Sequence, residues 1–146
     1  MTISYSREQY LDELAKAGKR KRPDDPEHRE QVKLFKMIEA AAAERPALKW
    51  IHAIPNGGHR SKATAGKLKA EGVTPGVSDI FVPIPSARFH GMYIEMKAGN
   101  NKLTPAQSEF GEFVQSRGYS FYTAYSAAEA WAALSLYLGI GIYEKA

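Results

Sequence analysis

After Asp25 the chain alternates short segments of strand character with longer ones of helical spacing, and a glycine or proline closes nearly every one. That rhythm confines the chain to a sheet with helices packed against it. The first helix starts at Pro26. Asp25 suits the N-cap, and Pro26 suits the first helical position, where a missing N–H costs nothing. Leu34, Phe35, Ile38 and Ala42 form its apolar stripe, and it must stop before Pro46. Leu48 to Ile54, rich in large apolar residues, reads as a strand. Pro55 to Arg60 is a turn or loop, and Ser61 to Glu71 a basic helix closed by Gly72. Beyond the Pro75-Gly76 turn, strands are expected over Ser78–Val82 and Met92–Lys97. A helix over Thr104–Arg117 stops at Gly118, a strand covers Ser120–Ala124, and Ser126 and Glu129 form a capping box for a last helix reaching Leu138. The order αβ(α)ββαβα predicts one α/β domain over 25–146, a mixed central sheet flanked by helices. Residues 1–24 read as a basic appendage, with a short helix from Ser6 to Ala17 that carries Tyr10, Leu11 and Leu14 on one side.

Composition removes several kinds of chemistry. There is no cysteine, hence no disulfide, no thiolate zinc site and no cysteine nucleophile. The four histidines, His28, His52, His59 and His90, show no metal-binding spacing. Lys67 follows Gly66 but lacks the remainder of a Walker A loop, so no nucleotide cofactor is expected. No apolar run approaches the roughly 18 residues of a membrane helix, and the N-terminus lacks a signal-peptide pattern, so a cytoplasmic location is expected. The net charge of +4 is mild. Its distribution says more: Lys16, Lys19, Arg20, Lys21 and Arg22 cluster, as do Arg60, Lys62, Lys67 and Lys69, and Lys102 lies further on. Such clusters fit phosphate contacts as well as a solubilising surface.

The chemistry gathers around Gly91–Lys97. Strand alternation sends Met92, Ile94 and Met96 one way and Tyr93, Glu95 and Lys97 the other. Asp79 leads the preceding strand, and an antiparallel pairing of the two would bring it near Glu95. Two converging carboxylates make a hard-oxygen site suited to Mg²⁺, and a lysine beside them can hold a water or offset phosphate charge. On the first helix Glu27, Gln31, Leu34 and Ile38 share one face, which directs Glu27 and Gln31 inward, while Glu30 lies at the edge of the stripe. Asn56, Gly57 and Gly58 permit close backbone approach, with Arg60 and Lys62 following at once, as a phosphate cradle needs. Thr104-Pro-Ala-Gln107 is a capping box, and capping alone accounts for it. Each feature taken singly has a plainer reading: a solvated Glu-x-Lys pair, a first-turn acid on the helix dipole, an Asn-Gly turn.

Together these segments resemble VRR-NUC domains, the virus-type replication-repair nucleases of the PD-(D/E)XK superfamily. The resemblance is carried in order by Glu27-x-x-x-Gln31, Ile54-Pro-Asn-Gly-Gly58, Lys67-Leu-Lys-Ala-Glu-Gly-Val73, Gly76-Val-Ser-Asp79, Ile94-Glu-Met-Lys97 and Leu103-Thr-Pro-Ala-Gln107. It covers about Pro26 to Leu138, and the compact length is similar to stand-alone bacterial and phage members. It implies a restriction-endonuclease-like fold and a Mg²⁺- or Mn²⁺-dependent endonuclease acting on branched DNA, four-way (Holliday) junctions included, as a homodimer. It further implies Asp79 and Glu95 as metal ligands with the Met96 carbonyl, Glu27 completing the site, in part through water, Lys97 as the catalytic lysine, and Gln107 lining the site with Gln31 in support. Asn56, Gly57, Gly58, Arg60, Lys62, Lys67, Lys69 and Lys102 would contact DNA. One departure stands out: Ser78 occupies the position where the family usually has proline. Alternatives are a non-catalytic DNA-binding module of the same fold, a monomeric nicking or flap nuclease, and an α/β interaction protein whose basic patches serve solubility. Trp131, Leu134, Leu136, Tyr137 and Leu138, followed by Ile140, Ile142 and Tyr143, offer material for a dimer interface.

Overall fold

A computed structural model describes residues 25–55 and 61–140. Among the described residues four α-helices, α1 (Pro26–Ala42), α2 (Lys62–Ala70), α3 (Pro105–Ser116) and α4 (Ala127–Leu138), accompany one sheet. Its strands are β1 (His52–Ala53), β2 (Ile80–Val82), β3 (Met92–Met96) and β4 (Ser120–Ala124), lying in that order. β1 to β2 and β2 to β3 pair antiparallel, and β3 to β4 pair parallel. The parallel pair needs a crossover, and α3 supplies it. The expected mixed sheet between helices is therefore present.

The register divides the two faces. Ile80 lies opposite Ile94 and Val82 opposite Met92, and these four with Met96 are buried. They meet Leu34 and Ile38 of α1 and Ala130 and Leu134 of α4 in the core. Truncating a buried leucine such as Leu34 to alanine typically costs about 2–5 kcal/mol. The other face carries aromatics: Phe81 stacks on Tyr93 at 4.6 Å, and Phe110 of α3 meets Tyr93 edge-on at 5.0 Å. Gly111 lets α3 sit close to the sheet, since a Cβ there would lie 2.8 Å from the Phe121 ring.

The helix starts follow the caps expected at Asp25 and Ser126, and Ser61, expected inside its helix, is a further cap. Asp25 accepts from the His28 N–H at 3.1 Å, Ser61 from Thr64 at 3.2 Å and Ser126 from Glu129 at 3.1 Å. The Ser126 cap is only half of the expected box, because Glu129 Oε1 accepts from the Tyr122 hydroxyl at 3.2 Å instead. A larger correction concerns Leu48–Ile54, expected as one strand. Pro46–Trp50 is a 3₁₀ turn, and the strand shrinks to His52–Ala53. Leu48 and Ile51 are the buried pair there, three residues apart, and Trp50 is exposed. That spacing belongs to a 3₁₀ turn and not to strand alternation, and Pro46 at its first position favours the turn. The strand expected from Ser78 begins at Ile80, which leaves Asp79 just before it. Among the described residues no helix is long and apolar enough to cross a membrane.

Candidate active site

The antiparallel register that sets Ile80 opposite Ile94 brings Asp79 to the level of Glu95. Asp79 Oδ2 accepts from the Met96 N–H at 2.7 Å, so this carboxylate is tied across to β3. Glu95 is buried, 3% exposed. Its Oε1 accepts from Gln107 Nε2 at 2.9 Å, and its Oε2 is buried with no N–H or hydroxyl donor, so only a proton shared with Asp79 or a cation can satisfy it. Lys97, also buried, follows β3 directly, and its N–H continues the ladder to the Ala124 carbonyl at 2.9 Å.

The electrostatics are those of two acids short of positive charge. Burial pushes the Glu95 carboxyl up to about 8, and the charge of Asp79 adds to the push. Lys97 pulls the other way, and Glu27 adds a smaller repulsion. Burial also raises Asp79, held back by the Met96 N–H, by hydrogen bonding with Glu95 and by Lys97. The pair therefore shares a proton near neutral pH, and a cation would displace it. A buried carboxylate oxygen that no N–H or hydroxyl donor reaches, next to a second carboxylate, fits a hard divalent ion. Among the described residues no three or more His, Asp or Glu side chains cluster as a ready-made metal cage. The donors that fit are this pair.

Helix α1 borders the pair. Glu27 and Gln31 line one groove of about 800 Å³ with Asp79 and Met96. Glu30 points elsewhere: its Oε2 accepts from Ala127 N at 3.4 Å, at the start of α4, and lies 3.6 Å from Lys33 Nζ. Gln107 does two things at once. Its Oε1 accepts from the Thr104 N–H at 2.9 Å, completing the capping box, while its Nε2 donates to Glu95. The sequence pattern accounts for the first bond; the second depends on where α3 docks.

The expected DNA-contacting residues fall into two groups. Asn56, Gly57, Gly58 and Arg60 lie outside the described residues, as do the basic cluster from Lys16 to Arg22 and the helix expected over Ser6–Ala17. Lys62, Lys67 and Lys69 are exposed on α2, which buries none of its residues, and Lys102 is exposed between β3 and α3. The segment after α2 adjoins Ile54 and Pro55 across a hollow of about 260 Å³ lined by Gly72, Val73 and Thr74, so the lysine-bearing helix ends near the Asp79 strand.

Gly76, part of the Pro75-Gly76 turn and of the Gly76-Val-Ser-Asp79 segment, also sets how close two elements come. Its φ is +90°, and a Cβ would lie 2.5 Å from the Ala106 carbonyl oxygen. Only glycine lets this backbone pass so close to the first turn of α3, which carries Gln107 to Glu95. The available signal was its place three residues before Asp79.

The VRR-NUC domain family model matches residues 19–128. A solved structure described as a VRR_NUC domain protein superposes with a TM-score of 0.65 at 27% identity, over 82% of this chain and 93% of that one. No curated protein matches. A family match over most of the chain, a shared fold and an Asp-Glu-Lys set gathered at the adjoining ends of two paired strands lead to one assignment: the chain belongs to the VRR-NUC domain family, nucleases of the PD-(D/E)XK type.

Proposed function

We propose that the protein is a divalent-metal-dependent, structure-selective DNA endonuclease that acts on branched DNA as a homodimer. The observation that carries the reading is the buried Glu95 Oε2, which no N–H or hydroxyl donor reaches, beside the Asp79 carboxylate. A protein that only bound DNA would have no use for a buried and a half-buried acid set side by side, whereas a hydrolase needs them to hold a cation. Asp79 and Glu95, with the Met96 carbonyl, would hold Mg²⁺ or Mn²⁺, and Glu27 would complete the set, in part through water. The ion supplies Lewis acidity at the scissile phosphodiester. Lys97 orients the attacking water and offsets charge that builds on the phosphate oxygens in the transition state. Gln107 keeps the Glu95 carboxylate in its orientation through the 2.9 Å bond, and Gln31 lines the groove with Glu27 and Asp79. Arg60, Lys62, Lys67, Lys69 and Lys102, with the Asn56-Gly-Gly58 backbone, contact flanking phosphates.

The test is cleavage of labelled linear, flapped and four-way DNA with and without chelator. Activity is expected to vanish in EDTA and to return with Mg²⁺ or Mn²⁺. Undiminished cleavage in excess chelator would remove the assignment.

A four-way junction has two-fold symmetry and needs two cuts, which a C2 dimer supplies through one self-complementary surface. Of the last-helix residues offered for that surface, Leu134 is buried, and Trp131, Tyr137 and Leu138 pack against the core, as does Ile140. Leu136 stands out at 85% exposure. It borders a largely apolar groove of about 800 Å³ that includes Phe89 and Tyr122, so a protruding side chain and a cavity to receive it adjoin on one face. Sedimentation at micromolar concentration is expected to give a dimer, and Leu136→Asp a monomer with reduced preference for four-way over linear DNA. A monomeric parent with equal affinity for both would leave a simple nicking or flap nuclease.

A further inference from the structure

The groove that Asp79 and Met96 line extends along α1, and its chemistry is unsuited to a run of phosphates. Asp25, Glu27 and Glu39 join Asp79 in its walls, with Lys36 and His28 as the basic groups. Even with Glu27 and Asp79 engaged by a cation, Asp25 and Glu39 outweigh the single lysine, so a DNA backbone laid along the groove away from that cation would meet more negative charge than positive. Between the acids lies an apolar shelf: Val32 and Phe35 from α1 face Ile54 and Pro55. Val32 is 40% exposed, an apolar side chain held open to solvent in the groove that Asp79 lines. The Ile54 N–H donates to the Asp79 carbonyl at 2.7 Å, so the shelf is fixed to the segment that carries the carboxylate.

We propose that this groove receives an unpaired nucleobase close to the scissile phosphate, and that this pocket is what selects DNA whose strands are already parted at the cut. The inference rests on the nuclease reading above and adds the substrate feature that this site recognises. A base matches the lining where a phosphate does not. It is neutral, its flat faces suit Val32, Phe35 and Pro55, and its exocyclic amino group can donate to a carboxylate such as Glu39. In an intact duplex each base is paired and stacked and must be extruded before it can enter, whereas a branch point or flap presents it without that cost. The continuity of the shelf with Asp79 places the base next to the bond to be cut.

Val32→Asn in the full-length chain tests this, because Val32 is partly exposed and the change leaves the core untouched. Binding is measured in chelator, so the result holds or fails separately from cleavage. The probes are a four-way junction and a flap, each with an abasic residue moved one nucleotide at a time past the branch point. The parent is expected to lose affinity about tenfold at one abasic position, in line with one base–side-chain stack. Val32→Asn is expected to bind intact branched DNA about tenfold more weakly and to ignore the abasic residue at that position. Fully paired linear DNA is expected to bind both proteins equally. Equal abasic losses in both proteins, or none at any position, overturn the proposal. So does an increased DNA affinity both in Val32→Asn and after changing Lys19, Arg20, Lys21 and Arg22 together to glutamine. That pattern would identify the chain's own basic segment as the occupant of the acidic groove.

Discussion

Lys97→Met is expected to cleave DNA about 100-fold or more slowly than the parent while keeping its fold. Methionine has a similar length, and at a buried position it leaves no unpaired donor. What it removes is a positive charge that favours the ionised forms of both Asp79 and Glu95. Two consequences must therefore be separated. Without the cation both carboxyls hold protons more tightly, so metal uptake near neutral pH weakens. Raising the pH restores uptake but does not restore a charge beside the phosphate, so cleavage stays low. Single-turnover rates and calorimetric metal binding, each measured from pH 7 to pH 9, distinguish these effects. Asp79→Asn and Glu95→Gln are expected to lose both metal and cleavage. Glu27→Gln should lower cleavage strongly and Glu30→Gln little, because Glu30 is engaged at the start of α4 and with Lys33. Near-normal cleavage by Lys97→Met would reduce the strand motif to a structural ion pair.

What the sequence disclosed and what it withheld divide along the range of the interaction. The caps at Asp25, Thr104 and Ser126 span three residues each, and all three side chains accept as expected. The alternation from Met92 to Met96 is a property of one strand, and its apolar side is in the core as expected. Asp79 and Glu95 meet only if β2 and β3 pair antiparallel in one register, a condition that depends on the whole sheet. Gln107 has two polar ends, and its capping box explained one of them; the bond to Glu95 follows from the close passage of Gly76 beneath α3. Leu48–Ile54 misled because apolar content does not distinguish a 3₁₀ turn that buries every third residue from a strand that buries every second. The apolar wall of the groove was invisible for a similar reason. Phe35 belongs to the expected core stripe and packs against the core, and only the short edge strand β1 leaves it, with the exposed Val32, also lining an opening.

In metal-free buffer above about pH 8, Glu95→Gln is expected to unfold at a higher temperature than the parent, although it is inactive. The ordinary carboxyl value of 4.5 applies in the unfolded chain, whereas burial and Asp79 raise Glu95 to about 8 in the folded protein. Between these values the folded state keeps a proton that the unfolded state releases, so stability falls as pH rises through that window. Below about pH 4.5 the group is protonated in both states and adds no difference. Above about pH 8 the folded protein carries the full cost of a buried, ionised Glu95 beside Asp79. Glutamine cannot ionise, retains an oxygen for Gln107 Nε2, and offers Asp79 an amide donor in place of a like charge. Asp79 still titrates in the variant, so some pH dependence persists. Divalent metal should reverse the order, because an ion that binds only the folded parent stabilises it by mass action and finds no equivalent site in the variant. Thermal unfolding from pH 5 to pH 9, in chelator and then in excess Mg²⁺, measures both effects. A variant less stable than the parent throughout would show that Glu95 is a structural acceptor for Gln107. The expected crossover would show instead that the fold bears the cost of holding two acids together for a cation that relieves it.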